Sequence, residues 1–310
     1  MGANVRVFVR EMIKFRAILN LNNKFIQRMI CEKRNIVLEG LHDRAILLDV
    51  FFKEEETQKP IVVFCHGFKG FKDWGAFDLV ANAFAEAGFV FIKFNFSYNG
   101  TSVEHPKDFV DLAAFGNNNF LIELDDIKMV LDALENNLLP VPDRLLDFRK
   151  LSLVGHSRGG GIAILKAAED DRVKQLVTWA SVSEFGKHWK KELMEEIEKN
   201  GVIYVPNART GQQMPIYWQL YQTYFDNQVR LHIPSCFEKL AIPSLIVHGT
   251  ADDTVPFDSA TQLAGLNSHA TLLSIENGNH VFGGKHPWDE SELPDDLKNV
   301  VTESIRFLKN

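Results

Sequence analysis

The stretch LSLVGHSRGGGIAILKAAED, residues 151–170, decides the fold. LSLVGH is a short apolar run that reads as a buried strand, and residues 158–169 carry a helical pattern. Between them lies Gly155-His156-Ser157-Arg158-Gly159, a G-x-S-x-G pentapeptide. The pattern alone is common, but its setting between a buried strand and a helix is that of a nucleophile elbow. Such a turn strains the serine backbone and lifts its Oγ clear of the sheet. Gly155 and Gly159 are small because strand and helix backbones crowd there, and Gly160 and Gly161 extend the close approach.

Working outward, strand and helix patterns alternate. NIVLE (35–39) and AILLDVFF (45–52) flank a turn-rich stretch and read as a hairpin. IVVFCH (61–66), FVFIKFNF (89–96), KQLVTWAS (174–181), PSLIVHG (243–249) and ATLLSIEN (270–277) read as further strands. Helices are expected at 73–87 with Asp73 as N-cap, near 119–136, near 257–265 and at 295–309. The alternation predicts an α/β fold with eight strands in a mostly parallel sheet, helices on both faces, and the first two strands an antiparallel edge.

Residues 184–238 break the alternation and hold no good buried strand. A charged run, KHWKKELMEEIEKN, is followed by an aromatic one, IYWQLYQTYF, and four of the five tyrosines lie here. An insertion of this length between sheet strands reads as a small cap or lid. The expected organisation is a basic extension over 1–34, a core formed by 35–183 and 239–310, and a cap over 184–238. Residues 1–30 carry six basic side chains against one acid, interleaved with apolar residues. That is not a signal-peptide pattern, and it is expected to be a helix lying on the domain or an upstream extension, since Met12 and Met29 could be alternative starts.

Composition excludes other classes. The 310 residues are 45% hydrophobic and 24% charged, a globular balance, and the net charge of −7 leaves no basic excess for nucleic acid. No apolar run is long enough to span a bilayer, so stable membrane insertion is not expected. Cys31, Cys65 and Cys236 are scattered without metal-ligand spacing and read as thiols in a reducing, cytoplasmic setting.

A serine hydroxyl becomes a good nucleophile only when a base removes its proton. The elbow predicts the chain order serine, acid, histidine. His280 fits best as the base, in a glycine-bearing loop just past the last strand, with His286 second. His248 and His269 read as structural, and His188 and His232 fall in the cap. The acid is expected at the end of the preceding strand, where Asp252 is favoured over Asp253. Oxyanion donors are expected at the backbone N–H of Arg158 and of Phe68, in the loop HGFKG at 66–70. His66 precedes the nucleophile in the chain and reads as structural. Cap aromatics Trp218 and Tyr221, with Phe71 near the mouth, are expected to line an apolar substrate pocket.

The motifs HGF (66–68), GHSRGG (155–160), HGTADDTVP (248–256) and GNHVFGG (278–284) resemble those of the α/β-hydrolase superfamily. Within it, the arrangement is most similar to cinnamoyl/feruloyl esterases and to serine esterases with dienelactone-hydrolase-like cores. The resemblance implies a Ser157–Asp252–His280 triad, an oxyanion hole at Phe68 and Arg158, and no metal or organic cofactor. It implies a carboxylic ester hydrolase acting on a small-molecule ester, of short acyl or hydroxycinnamoyl type, with a homo-oligomer compatible. The alternatives on the same fold are a serine peptidase of the aminopeptidase or oligopeptidase kind and a lipase acting at a membrane surface.

Overall fold

The computed structural model describes residues 29–187 and 189–310. Strand β3 (Lys59–Cys65) shows how the sheet is built. Ile61, Val63 and Cys65 point into one core layer, while Val62 and Phe64 point into the other. The period-two alternation of a strand thus buries an unbroken apolar run on both faces. Around it lie β1 (Ile30–Glu39), β2 (Ala45–Lys53), β4 (Val90–Asn95), β5 (Leu146–His156), β6 (Gln175–Trp179), β9 (Ser244–Gly249) and β10 (Ala270–Ile275). The eight strands run in the order β1-β2-β4-β3-β5-β6-β9-β10. Pairs β1–β2 and β2–β4 are antiparallel, and every pairing from β4 to β10 is parallel.

Helices α1 (Phe77–Glu86) and α9 (Asp295–Leu308) cover the face that carries Phe64, Phe91 and Trp179. Helices α3 (Phe120–Glu135), α4 (Arg158–Glu169) and α8 (Asp258–Leu266) cover the face that carries Ile61, Ile92 and Leu153. A short α2 (Leu112–Asn117), absent from the sequence reading, precedes α3. Asn119 caps α3 by accepting from the N–H groups of Leu121 and Ile122.

Two expectations are corrected. First, β1 begins at Ile30, so five residues assigned to the N-terminal extension belong to the sheet, with Ile30 registered against Lys53. The polar Cys31-Glu32-Lys33-Arg34 run is a half-wet edge, and a register shift between Lys33 and Ile36 breaks its alternation. The expected helix within 1–28 lies outside the described residues.

Second, Asp73 does not cap α1, whose N-cap is Ala76 with no side-chain bond. Asp73 instead pairs with Lys72 and Lys93. Both lysines also meet Asp49, at 2.8 and 2.9 Å, and Lys93 reaches Asp78 at 2.6 Å. Two buried ammonium groups demand full compensation, and one helix N–H competes poorly with them. Burial works against ionising Asp49, yet Lys93 and Lys72 outweigh it and hold its carboxyl below the usual range.

The insertion between β6 and β9 contains α5 (Lys191–Asn200), a separate antiparallel pair β7 (Val202–Pro206) and β8 (Gln213–Tyr217), α6 (Trp218–Asp226) and α7 (Ile233–Glu238). The β7–β8 pair is a further difference from the sequence reading. Its strands are short and partly exposed, and each contains a proline. The insertion's aromatics pack on one another: Trp189 lies 4.4 Å from Tyr221 and 5.1 Å from Tyr224. Phe185 stacks on Phe120 of α3 at 3.8 Å, which fastens the insertion to the core.

Candidate active site

Strand β5 ends at His156, and α4 begins at Arg158. The single residue between them, Ser157, has φ 57° and ψ −123°. This is a costly backbone for a residue with a Cβ, and it is held by surrounding structure. The Ser157 N–H donates to the Trp179 carbonyl at 2.8 Å. A Cβ placed on Gly159 would meet the Cys65 and His66 carbonyl oxygens at 2.4 Å, so only glycine fits where α4 passes over the end of β3.

Ser157 Oγ lies 3.0 Å from His280 Nε2. On the far side of the ring, Nδ1 lies 2.8 Å from Asp252 Oδ2 and donates to it. The other carboxylate oxygen, Oδ1, accepts from the N–H groups of Thr254 and Val255 at 2.9 and 2.8 Å. Burial opposes the charge on Asp252, but hydrogen bonds from His248 and His280 outweigh it and hold the carboxyl well below the usual range. The loops bearing Asp252 and His280 are stitched together, as Ala251 donates to the Gly278 carbonyl and Asn277 to Thr250 Oγ1.

The other candidates have different partners. Asp253 is exposed and takes a bond from its neighbour Thr254. His286 accepts the Gly75 N–H at Nδ1, 2.9 Å away, and lies against Trp74. His66 is buried, donates from Nδ1 to the Gly67 carbonyl and accepts the Phe96 N–H at Nε2. Burial pushes its pKa down to about 4, so it is a neutral strut for the loop that carries Phe68. His188 lies outside the described residues.

Two histidines are closer to the site than the sequence indicated. His248, fully buried in β9, approaches Asp252 Oδ2 at 3.2 Å and donates to the Val255 carbonyl at 2.8 Å. His156 donates from Nε2 to the His280 carbonyl at 2.9 Å. Burial, then the neighbouring His280, pushes the His156 pKa down to about 3. Both sit in apolar strand-end positions, which give no sequence sign of these contacts.

The backbone of Gly67 crosses directly over the serine, where an added Cβ would stand 2.9 Å from Ser157 Cβ and 3.4 Å from Oγ. The next N–H, of Phe68, and that of Arg158 find no acceptor among the described residues. The Arg158 side chain turns away, donating to Glu123 at 3.0 Å and lying over the Phe120 ring at 4.6 Å.

Two cavities meet at Phe68. One, of about 290 Å³, is lined by Ser157, His280, Trp74 and Arg209 among others. The second, of about 240 Å³, lies beside Arg158 beneath Phe120, Phe185, Trp189 and Tyr221. Tyr221 borders this second cavity. Trp218 lines neither and stacks on Tyr221 at 6.0 Å as part of the insertion's own packing. Phe71 is corrected as well: it is wholly buried with Phe109, Phe115 and Met214, because the chain dives inward after the Gly67–Gly70 turn. A larger cavity of about 760 Å³, near Ala167, His232 and Cys236, contains none of the expected site residues.

Residues 60–235 match the family described as the alpha/beta hydrolase fold. An uncharacterized 31.7 kDa protein from the traX-finO intergenic region of Escherichia coli is 30% identical over 125 residues, which are 40% of this chain. The matched segment spans 38% of that relative's length. Among solved structures, Est1E from Butyrivibrio proteoclasticus with ferulic acid bound is similar with a TM-score of 0.62 at 19% identity, covering 88% of this chain and 98% of that one. Dienelactone hydrolase from Anabaena variabilis is similar with a TM-score of 0.58 at 16% identity, covering 90% and 97%. At these identities the likeness to solved structures is one of fold.

Proposed function

Because the chain belongs to the alpha/beta hydrolase fold family, we propose that it is a serine carboxylic ester hydrolase working through an acyl-enzyme on Ser157. The observation that carries this reading is the unbroken line from Ser157 Oγ to His280, 3.0 Å, and from His280 to Asp252, 2.8 Å. In the first step Oγ attacks the ester carbonyl as its proton passes to His280 Nε2. Asp252 holds the ring with Nδ1 protonated and stabilises the imidazolium that forms. The free N–H groups of Phe68 and Arg158 receive the oxyanion, and each such donor is worth about 3 kcal/mol of barrier. His280 then protonates the leaving alcohol, and water reverses the sequence to release the acid.

Aromatic walls in the cavity beside Arg158 favour an aromatic or short apolar acyl group. A hydroxycinnamoyl ester meets that description, and the fold likeness to a protein with ferulic acid bound is consistent with it. The test is a panel of p-nitrophenyl butyrate, methyl ferulate, an aminoacyl-nitroanilide and an emulsified triglyceride. Turnover of the two soluble esters is expected. Turnover of the anilide alone would replace the esterase reading with a peptidase, and of the emulsion alone with a lipase. No helix among the described residues is long and apolar enough to cross a membrane.

A further inference from the structure

The walls of the cavity that holds Ser157 and His280 present donors and positive charge. Its charged lining residues are Lys69 and Arg209, and no aspartate or glutamate lines it. Lys69 donates to the Pro206 carbonyl at 3.2 Å, joining the loop after β3 to the end of β7. Arg209 lies over the faces of Phe71 and Phe109, at 5.6 and 5.8 Å. Among the described residues neither cation has a carboxylate within ion-pair distance.

Asn207 stands beside them with only 6% of its surface exposed. Its Oδ1 accepts the Arg209 N–H at 3.2 Å, while its Nδ2 has no partner. A buried amide donor left unpaired costs free energy that an acceptor on a ligand would recover. His286 adds to the pattern: its Nδ1 accepts from Gly75, so the neutral ring carries its proton at Nε2. Of the charged groups near His286, Arg209 and Lys107 are positive and Asp108 and Asp73 negative, and of these only Arg209 lines the cavity.

The position of the cavity says which part of the substrate enters it. His280 lines it and hands its proton to the leaving oxygen, so the alcohol departs along this wall. Phe68 separates it from the aromatic cavity beside Arg158, which then takes the acyl part. We propose that the alcohol part of the substrate carries a carboxylate, held by Lys69, Arg209 and Asn207. The proposal rests on the acyl-enzyme reading above. The leaving alkoxide takes the proton of the His280 imidazolium and departs as a hydroxy acid, while the acyl group stays on Ser157 Oγ.

The test compares two esters of 3-phenylpropanoic acid, one with 3-hydroxypropanoate and one with 1-propanol. At low salt the wild type is expected to favour the anionic ester in kcat/KM by about tenfold, and added salt is expected to reduce that preference. In the double variant Lys69→Gln, Arg209→Gln the ratio is expected to approach one. A wild-type ratio at or below one, or a ratio that the double variant leaves unchanged, would overturn the proposal. A stronger preference for the same charge moved onto the acyl part would overturn the assignment of the alcohol side. If neither ester turns over, the acyl-enzyme reading fails while the binding claim is still read directly. Trp74 lines the cavity, so saturable quenching of tryptophan fluorescence by 3-hydroxypropanoate is expected, and it should be weakened in the double variant. No saturable response in the wild type would end the proposal.

Discussion

The proposed catalytic line and the insertion that overhangs it are held in different ways. Ser157, Asp252 and His280 stand at the ends of β5, β9 and β10, and backbone geometry fixes each one: a strained φ, two N–H groups on one carboxylate oxygen, and stitched loops. Residues 184–238 meet the core mainly through side chains, above all Phe185 on Phe120, and are held together by the Trp189–Tyr221–Tyr224 stack. Backbone hydrogen bonds tolerate little movement, whereas packed aromatics can be exchanged for others of similar volume. On the proposed function, the chemistry is placed rigidly and selectivity is left to the part that side chains define.

Substitutions sharpen this contrast. Asp252→Asn should leave the fold intact but lose control of the His280 tautomer, lowering kcat by about 10⁴. Steady-state kinetics on p-nitrophenyl butyrate would check it, and a loss below tenfold would break the rigid-line view. Phe185→Ala should instead change preference, lowering the ratio of kcat/KM for an aromatic over an acetyl ester by about tenfold.

Glycines give the structural counterpart. Gly159→Ala drives a Cβ to 2.4 Å from two carbonyl oxygens and should destabilise the protein by about 3 kcal/mol or more. Gly201→Ala at the end of α5 meets open space and should cost only about 1 kcal/mol, for its φ of +75°. Denaturant midpoints of the two variants would separate them, and equal losses would contradict the contrast.

The smallest effect is a pH slope. His66 and His156 are neutral in the fold with pKa values of about 4 and about 3, below the ordinary 6.5. Their contribution to stability is fully present above pH 6.5 and is lost as pH falls toward those values. Burial pushes Asp126 up to about 8, against the donors of Ser97 and from an ordinary 3.8. Its contribution has the opposite sign: present below its unfolded value and lost as pH rises through 8. Between pH 6.5 and 4 unfolding therefore takes up two protons at the histidines and releases one at Asp126. From these three groups stability should fall by about 1.4 kcal/mol per pH unit on acidification. Asp126→Asn should steepen the slope, and calorimetry across that range would show the same slope in wild type and variant if burial at Asp126 does not hold its proton.

These differences also explain what the sequence made legible. The elbow, the loop around Phe68, and the strand ends carrying Asp252 and His280 are backbone features, and glycines beside apolar runs mark them. Asp73 was harder, because Lys93, which comes from β4, outbids a local cap. Phe71 read as a mouth residue because no local pattern records that the chain turns inward after Gly70. Asn207 and Arg209 lie some fifty residues beyond Ser157 in sequence and reach its cavity only through the β7–β8 turn. The edge residues 30–34 lacked alternation because one flank is exposed and the register shifts there.

The claim on which the rest depends is that Ser157 is the nucleophile. Incubation with a fluorophosphonate, followed by peptide mass mapping, tests it most directly. A single adduct on Ser157, absent from a folded Ser157→Ala variant and strongly reduced in His280→Ala, is the expected result. An unlabelled Ser157 in folded wild-type protein, or an adduct on another residue with esterase activity retained in Ser157→Ala, would contradict it.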